Sequence, residues 1–319
     1  MHKSLLSSIV SLLIIISFST PAFAQETLTD SAATTHQDWD FGGTGTINFS
    51  QVSLTNWAAG GQSSISVLGI TNVFGNYKKG KNTWNNTLDI TYGTVKLENQ
   101  RVRKSDDKLE LNLKYGRAAS TDWFYTAQMN FRSQLTPTYT NTRDTLLSDF
   151  LSPAFVLASL GMDYKPNDKL SVFISPLTGK FTIVKDQELA DQGAFGVEKA
   201  ATNAFGDPII GTGENFRREF GGFVNVRYKH EILQNVIFQS KIDLFSNYLH
   251  NPTNLDINWE NLVDFKVNSF LSASLFVHMV YDDDILINID DNDDGVTDAR
   301  GPRVQVKQSL GIGLTYKFD

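Results

Sequence analysis

The stretch from Arg303 to Phe318 constrains the fold more than any other. Its even positions read Val304, Val306, Gln308, Leu310, Ile312, Leu314, Tyr316 and Phe318. Its odd positions read Arg303, Gln305, Lys307, Ser309, Gly311, Gly313, Thr315 and Lys317. Apart from Gln308, this is unbroken alternation of apolar and polar side chains. A strand in a soluble sheet runs only about 5–6 residues. A tilted strand crossing a bilayer needs roughly 9–11, apolar toward lipid and polar toward a lumen. The closing Tyr316 and Phe318 put aromatic rings where an interfacial girdle would sit. Such an aromatic-ended last strand resembles what outer-membrane barrels present to their assembly machinery, which makes that machinery an expected partner.

The amino terminus fixes the compartment. Lys3 precedes an apolar run from Leu5 to Phe18, and Pro21-Ala22-Phe23-Ala24 follows. This pattern predicts a secretory signal peptide over 1–24, cleaved after Ala24. The chain has no cysteine, so neither a lipoprotein anchor nor disulfide staples are available. Residues 25–38 are polar and aperiodic, and predict a flexible periplasmic lead-in. The folded part then runs over 39–319. Net charge is −7, or −8 once Lys3 leaves with the leader. That acidic balance argues against non-specific nucleic-acid binding.

From Gly43 onward, amphipathic runs alternate with connectors. The runs fall at about 43–55, 63–77, 83–96, 108–117, 123–133, 154–165, 169–175, 218–229, 236–248, 256–267, 270–281 and 303–318. Twelve is an even number, as single-chain bacterial barrels require. In the third run Trp84 and Tyr92 share one face. At the tilt of barrel strands they lie roughly 20 Å apart, near the ~25 Å height of an outer-membrane apolar band. The connectors sort by parity. Those after even-numbered runs, such as 166–168 and 268–269, are all short. Every long one, including 97–107, 134–153, 176–217 and 282–302, follows an odd-numbered run. Long loops outside and short turns inside are the pattern of outer-membrane barrels. The seventh run is the weakest, because Pro176 interrupts it; part of 177–186 is expected to continue it above the membrane. The fold expected is an all-β, antiparallel, up-and-down transmembrane barrel embedded in outer-membrane lipid.

The polar faces of these runs line the expected lumen. Arg132 lies on the fifth run, Arg227 on the eighth, and Lys241 and Asp243 on the ninth. Glu260, Asp264 and Lys266 lie on the tenth, and His278 on the eleventh. Side chains fill barrels of about eight strands, and about sixteen leave an aqueous channel. Twelve with mixed charges is compatible with a narrow pore for small polar or ionic solutes. It is equally compatible with a sealed barrel whose outer loops bind a partner. An enzyme is not expected, since no positioned base or nucleophile accompanies His278, and no cofactor is implied.

One loop suggests a metal. Asp290, Asn292, Asp294 and Asp298 alternate around Gly295 much as in the first part of an EF-hand loop. Position twelve is Gly301 rather than a bidentate Glu. Weak Ca²⁺ binding there is an expectation; equal thermal stability with calcium and with chelator would exclude it. The long 176–217 loop is expected to fold inward and constrict the lumen.

Several stretches together resemble one family. They are Ser50 to Gly61, Arg103-Lys104-Ser105-Asp106-Asp107, Ser175 to Lys180, Leu244 to Leu249, and Tyr281-Asp282-Asp283-Asp284-Ile285. They are similar to landmarks of the Bacteroidota family called domain of unknown function 3078. The resemblance implies an outer-membrane location and supplies no activity or site residues.

Overall fold

The computed structural model describes residues 38–54, 62–140, 145–285, 287–289 and 299–318. Its strands are β1 (Trp39–Val52), β2 (Ser64–Lys79), β3 (Asn82–Leu97), β4 (Arg103–Ala118), β5 (Trp123–Ser133), β6 (Thr138–Tyr139), β7 (Leu146–Ser148) and β8 (Ala154–Asn167). There follow β9 (Leu170–Ile183), β10 (Phe216–Leu233), β11 (Val236–Asn247), β12 (Asp256–Lys266), β13 (Leu271–Tyr281), β14 (Ile287–Ile289), β15 (Ala299–Gly301) and β16 (Gln305–Phe318). One short helix, α1 (Gln187–Asp191), lies between β9 and β10.

Twelve of these strands close into one barrel, in the order β1-β2-β3-β4-β5-β8-β9-β10-β11-β12-β13-β16 and back to β1. β6 with β7, and β14 with β15, are small two-stranded hairpins in the connectors. Every neighbouring pair in the wall is antiparallel. All twelve amphipathic runs are wall strands. Closure leaves no unpaired edge, the condition for a sheet to sit in hydrocarbon.

The seam between β1 and β16 shows how the terminal strand is used. Gly43 pairs with Phe318 and Asn48 with Gly313. A Cβ on Gly313 would sit 1.9 Å from Asn48 Oδ1. The inward glycine therefore leaves room for the asparagine side chain at the join. The hydroxyls of Thr46 and Thr315 meet 2.9 Å apart across the seam. The even positions of β16 point outward, with Leu310 76% and Tyr316 73% exposed.

Strand β9 is longer than the spacing predicts. It continues past Pro176 to Ile183, so the part beyond the proline extends the seventh run as expected. The register with β10 shifts between Gly221 and Phe223, and the register with β8 between Leu160 and Met162. Pro176 sits in that bulge, where the missing N–H costs no ladder bond. The bulge also resets the alternation: Ser171, Phe173 and Ser175 face inward before it, and Thr178, Lys180 and Thr182 after it. β4 also begins earlier than expected, at Arg103.

The connectors 80–81, 119–122, 168–169, 234–235 and 267–270 are all turns at one end. The opposite end carries the long connectors. At the turn end, Trp39 packs against Tyr77 (5.1 Å between ring centroids) and Trp84 (6.3 Å). Tyr92 lies toward the other end of β3 and is also exposed. Aromatic rings thus flank the outward apolar belt. No helix among the described residues is long and apolar enough to cross a membrane.

Candidate functional site

The lumen is the one feature toward which charged side chains from most strands converge. At its middle the side chains meet. Glu110 on β4 accepts hydrogen bonds from Lys241 on β11 at 2.8 Å and from Asn130 on β5 at 2.9 Å. Lys108, two residues earlier on β4, lies 3.5 Å from Glu110 and 3.3 Å from Glu260 on β12. Asp243 accepts from Asn225 at 2.6 Å and Asn258 at 3.0 Å, and lies 3.7 Å from Lys241. Ions taken out of water are tolerated only when paired and hydrogen-bonded in this way. The result is a layer of ion pairs strung across the barrel.

Open space lies on both sides of that layer. Toward the turn end is a cavity of about 970 Å³, reaching from Lys108, Glu110, Lys241 and Glu260 to Lys78, Lys81 and Lys169. Toward the loop end is a cavity of about 620 Å³, lined by Lys108 and Glu260 below and by Asp106, His278 and Lys307 above. A smaller cavity of about 110 Å³ adjoins the layer and takes in Arg132, Arg227, Lys241 and Asp243. Its floor includes Phe223 and Phe245, which pack with Phe173 and Leu157 as an apolar cluster inside the barrel.

More ion pairs ring the loop end. Lys180 reaches Asp256 at 2.5 Å, Glu219 at 3.4 Å and Asp282 at 3.5 Å. Arg217 pairs with Glu219 at 2.8 Å and with Asp284. Lys307 pairs with Asp106 across the mouth. Asp256, Asp282 and Asp283 bring carboxylate oxygens close enough to share an ion. Lys180 already occupies two of them, so the set does not make a convincing metal site.

The connector 184–215 folds over this mouth. Val184, Leu189, Ala190 and Val197 form a small core with Leu146, Ala194 and Phe195. Phe195 also lines the outer cavity. Asp186 caps α1 by accepting from the Leu189 N–H at 3.0 Å. Asp191 ties the connector together: it accepts from the Gly211 N–H at 2.7 Å, the Gly213 N–H at 2.8 Å and the Gln187 amide at 3.0 Å. These bonds, led by that from Gly211, hold its carboxyl below the usual carboxylate range.

The structure places the lumen residues as follows. Arg132, Arg227, Lys241 and Asp243 line the small central cavity, and Arg132 also the outer one. Glu260 belongs to the cross-barrel layer, and His278 lines the outer cavity with its ring 2.6 Å from Asn258 Oδ1. Asp264 and Lys266 lie further along β12, paired in register with Ser274 and Ser272, away from the three cavities above. The calcium-loop residues Asp290, Asn292, Asp294 and Asp298 lie outside the described residues. Lys108, Lys180 and Asp256 were not singled out by the spacing. Lys180 hides behind the Pro176 bulge, where the parity of the strand changes. The inward phenylalanines Phe173, Phe223 and Phe245 run against the polar lumen that the alternation predicts.

A model of the family described as "Protein of unknown function (DUF3078)" matches residues 49–139. Of the five landmark stretches, Ser50 to Gly61 and Arg103 to Asp107 fall inside that range. No curated protein matches the chain. Among solved structures, the COG4313 outer membrane channel from Pseudomonas putida F1 is similar at 11% identity, with 91% of this chain and 100% of that chain covered and a TM-score of 0.39. The NanC porin is similar at 8% identity, covering 85% and 98%, with a TM-score of 0.38. The translocator domain of the autotransporter NalP from Neisseria meningitidis is similar at 11% identity, covering 86% of each chain, with a TM-score of 0.32. No residue role is transferred from these likenesses.

Proposed function

We propose that this chain is a narrow outer-membrane channel for small polar or ionic solutes. The observation that carries the reading is the build of the lumen. Cavities of about 970 and 620 Å³ open toward opposite ends and share Lys108 and Glu260 as lining residues. What separates them is one layer of side chains; the folded connector 184–215 lies over the outer mouth, with Phe195 in the lining of the outer cavity, and not between the two. Charged side chains of mixed sign make a poor barrier to a hydrated ion and a good one to a bulky or apolar solute. The outward apolar belt and its aromatic ends suit outer-membrane lipid. The leader over 1–24 and insertion through the carboxy-terminal strand complete the proposed route.

Planar-bilayer recording of the purified protein tests the channel. Stepwise current is expected, with small unitary conductance. A folded protein that inserts and shows no current would rule it out.

A second reading has one observation in its favour. The connector 184–215 exposes Phe205 at 91% and Ile210 at 77%. Large apolar side chains held out in water mark contact surfaces. A sealed barrel that binds a partner through its outer loops would show that surface and no current.

A further inference from the structure

The small cavity beside the ion-pair layer is unevenly satisfied. Its carboxylates are supplied with donors. Glu110 is bonded by Lys241 and Asn130, Asp243 by Asn225 and Asn258, and Lys180 serves Asp256 and Asp282. Its two guanidiniums make no such bonds, although Arg132 stands opposite Glu110 across the β4–β5 ladder. Among the described residues Arg132 makes no hydrogen bond or ion pair, and touches the Phe155 ring at 5.1 Å. Arg227 makes none either, and its Nε is buried without a partner. Arg227 also stands directly across the β10–β11 ladder from Lys241, on the same inward face. Like charges directly opposite each other are unfavourable in a sheet. Among the described residues no carboxylate pairs with Arg227 as Glu110 pairs with Lys241.

One neutral acceptor, Gln128 Oε1, is also buried without a partner, but among the charged groups the carboxylates are paired and the guanidiniums are not, which selects a ligand that brings a negative charge. Five apolar side chains, Phe155, Leu157, Phe223, Phe245 and Ile257, share the lining with the amides of Asn112, Gln128, Asn130 and Asn258. The approach from the turn end has the same bias. Five lysines, Lys78, Lys81, Lys165, Lys169 and Lys229, line the large cavity near its mouth, against one aspartate there, Asp168. A cavity mouth of one sign concentrates ions of the other.

We infer that the central cavity is a binding site for a small organic anion, whose carboxylate meets Arg132 and Arg227 and whose apolar body lies on Phe155, Phe223 and Phe245. Guanidinium suits this role because its planar fork matches a carboxylate. The site, about 110 Å³, is smaller than the apolar cavity of about 150 Å³ that admits benzene, but it shares Glu110, Asn112, Arg227 and Lys241 with the cavity of about 970 Å³, so a monocyclic carboxylate that extends into that space is a fitting probe. The inference deepens the channel reading by naming a solute class, and it can be tested where no current is needed.

Calorimetric titration of the full-length protein in detergent with benzoate is the test, with benzyl alcohol as the neutral counterpart of similar shape. Saturable binding of benzoate is expected, with benzyl alcohol weaker by about tenfold or more, as loss of a charge-assisted bond implies. Arg227→Gln and Arg132→Gln should each weaken benzoate by about the same factor while the barrel melts as in the wild type. Absence of saturable benzoate binding overturns the site, and so does equal affinity for the alcohol. The comparison of the two probes needs no variant, so a misfolded mutant does not spare the inference. Benzoate binding without current in bilayers would remove the channel and leave the site; current without benzoate binding would do the reverse.

Discussion

Lys108 Nζ lies 3.3 Å from Glu260 Oε1, and the two residues stand on opposite walls of the barrel. From β4 the wall runs through β5, β8, β9, β10 and β11 to β12, or the other way through β3, β2, β1, β16 and β13. Five strands intervene on each side, so this contact spans the whole lumen. Side chains from facing walls therefore close the middle of the barrel, and the closure is ionic. Its energetics and its permeability then depend on the same few charges.

The first consequence concerns stability. Glu110 is 4% exposed and compensates Lys241 at 2.8 Å and Lys108 at 3.5 Å. Removing one partner of a buried pair costs about 3–5 kcal/mol, because the other charge stays buried, whereas replacing both with apolar groups is often neutral. Glu110→Gln should accordingly lower the unfolding free energy by about 3 kcal/mol. The double variant Glu110→Gln with Lys241→Met should recover much of that loss. Urea titrations of refolding in detergent measure both, and a double variant as unstable as the sum of the singles would contradict the pairing.

The second concerns permeation. Lys108→Ala combined with Glu260→Ala removes both ends of the cross-barrel contact and joins the cavities of about 970 and 620 Å³. No unpaired charge is left from that pair, so the wall should still form. Single-channel conductance should rise several-fold over the wild type. A variant that folds and conducts like the wild type would show that the barrier lies elsewhere.

How far the sequence discloses this architecture depends on where alternation survives. β16 displays it in full because its even positions face outward and its odd positions inward. The same period locates Arg132, Arg227, Lys241 and Asp243 on the lumen side. β9 conceals it. There the bulge at Pro176 moves the inward set from Ser171 and Phe173 to Thr178 and Lys180, and a period-two reading loses step. Cross-barrel partners such as Lys108 and Glu260 are 152 positions apart in the chain, and no local pattern connects them. The inward cluster of Phe173, Phe223 and Phe245 runs against the general expectation of a polar lumen, and only burial reveals it.

That bulge is itself testable. A Cβ on Gly161 would lie 2.0 Å from the Ile174 carbonyl oxygen, a backbone atom that cannot swing aside. On Gly45 it would meet nothing within 4 Å. Gly161→Ala should therefore destabilise the barrel by about 1–3 kcal/mol, as overpacking does. Gly45→Ala should stay within about 0.5 kcal/mol. The midpoint of heat-induced loss of the compact, fast-migrating form in gel electrophoresis ranks the two, and an equal shift for both would argue against a close contact at Gly161.

The connector over the mouth should respond to acid. The Asp191 carboxyl is held below its usual range by the N–H of Gly211 first, then by Gln187 and Gly213. A group whose folded pKa is depressed stabilises the fold above its unfolded value, and the contribution is lost as pH falls through the folded one. Protection of the Gly211 and Gly213 amides against hydrogen exchange should then decline below the ordinary carboxylate value of about 3.9. In Asp191→Asn the protection should be weaker at neutral pH and independent of acid. Wild-type protection that stays flat to low pH would mean that Asp191 does not tie the connector.

The outward face of β16 should behave as a lipid-facing surface. Leu310 is 76% exposed and Ile312 62%, values that in water would mark a large unsatisfied apolar stripe. Its paired neighbours across the wall, Leu275 and Ala273, extend the stripe onto β13. An arginine on the lipid face of such a barrel costs about 2–4 kcal/mol near the bilayer midplane and about 0–1 kcal/mol near either interface. Leu310→Arg should therefore slow and weaken refolding into lipid vesicles far more than Phe318→Arg, because Phe318 lies at the strand's end. In urea the two unfolded variants are equivalent, so the difference isolates depth in the bilayer. Equal costs at the two positions would be incompatible with a membrane-spanning wall.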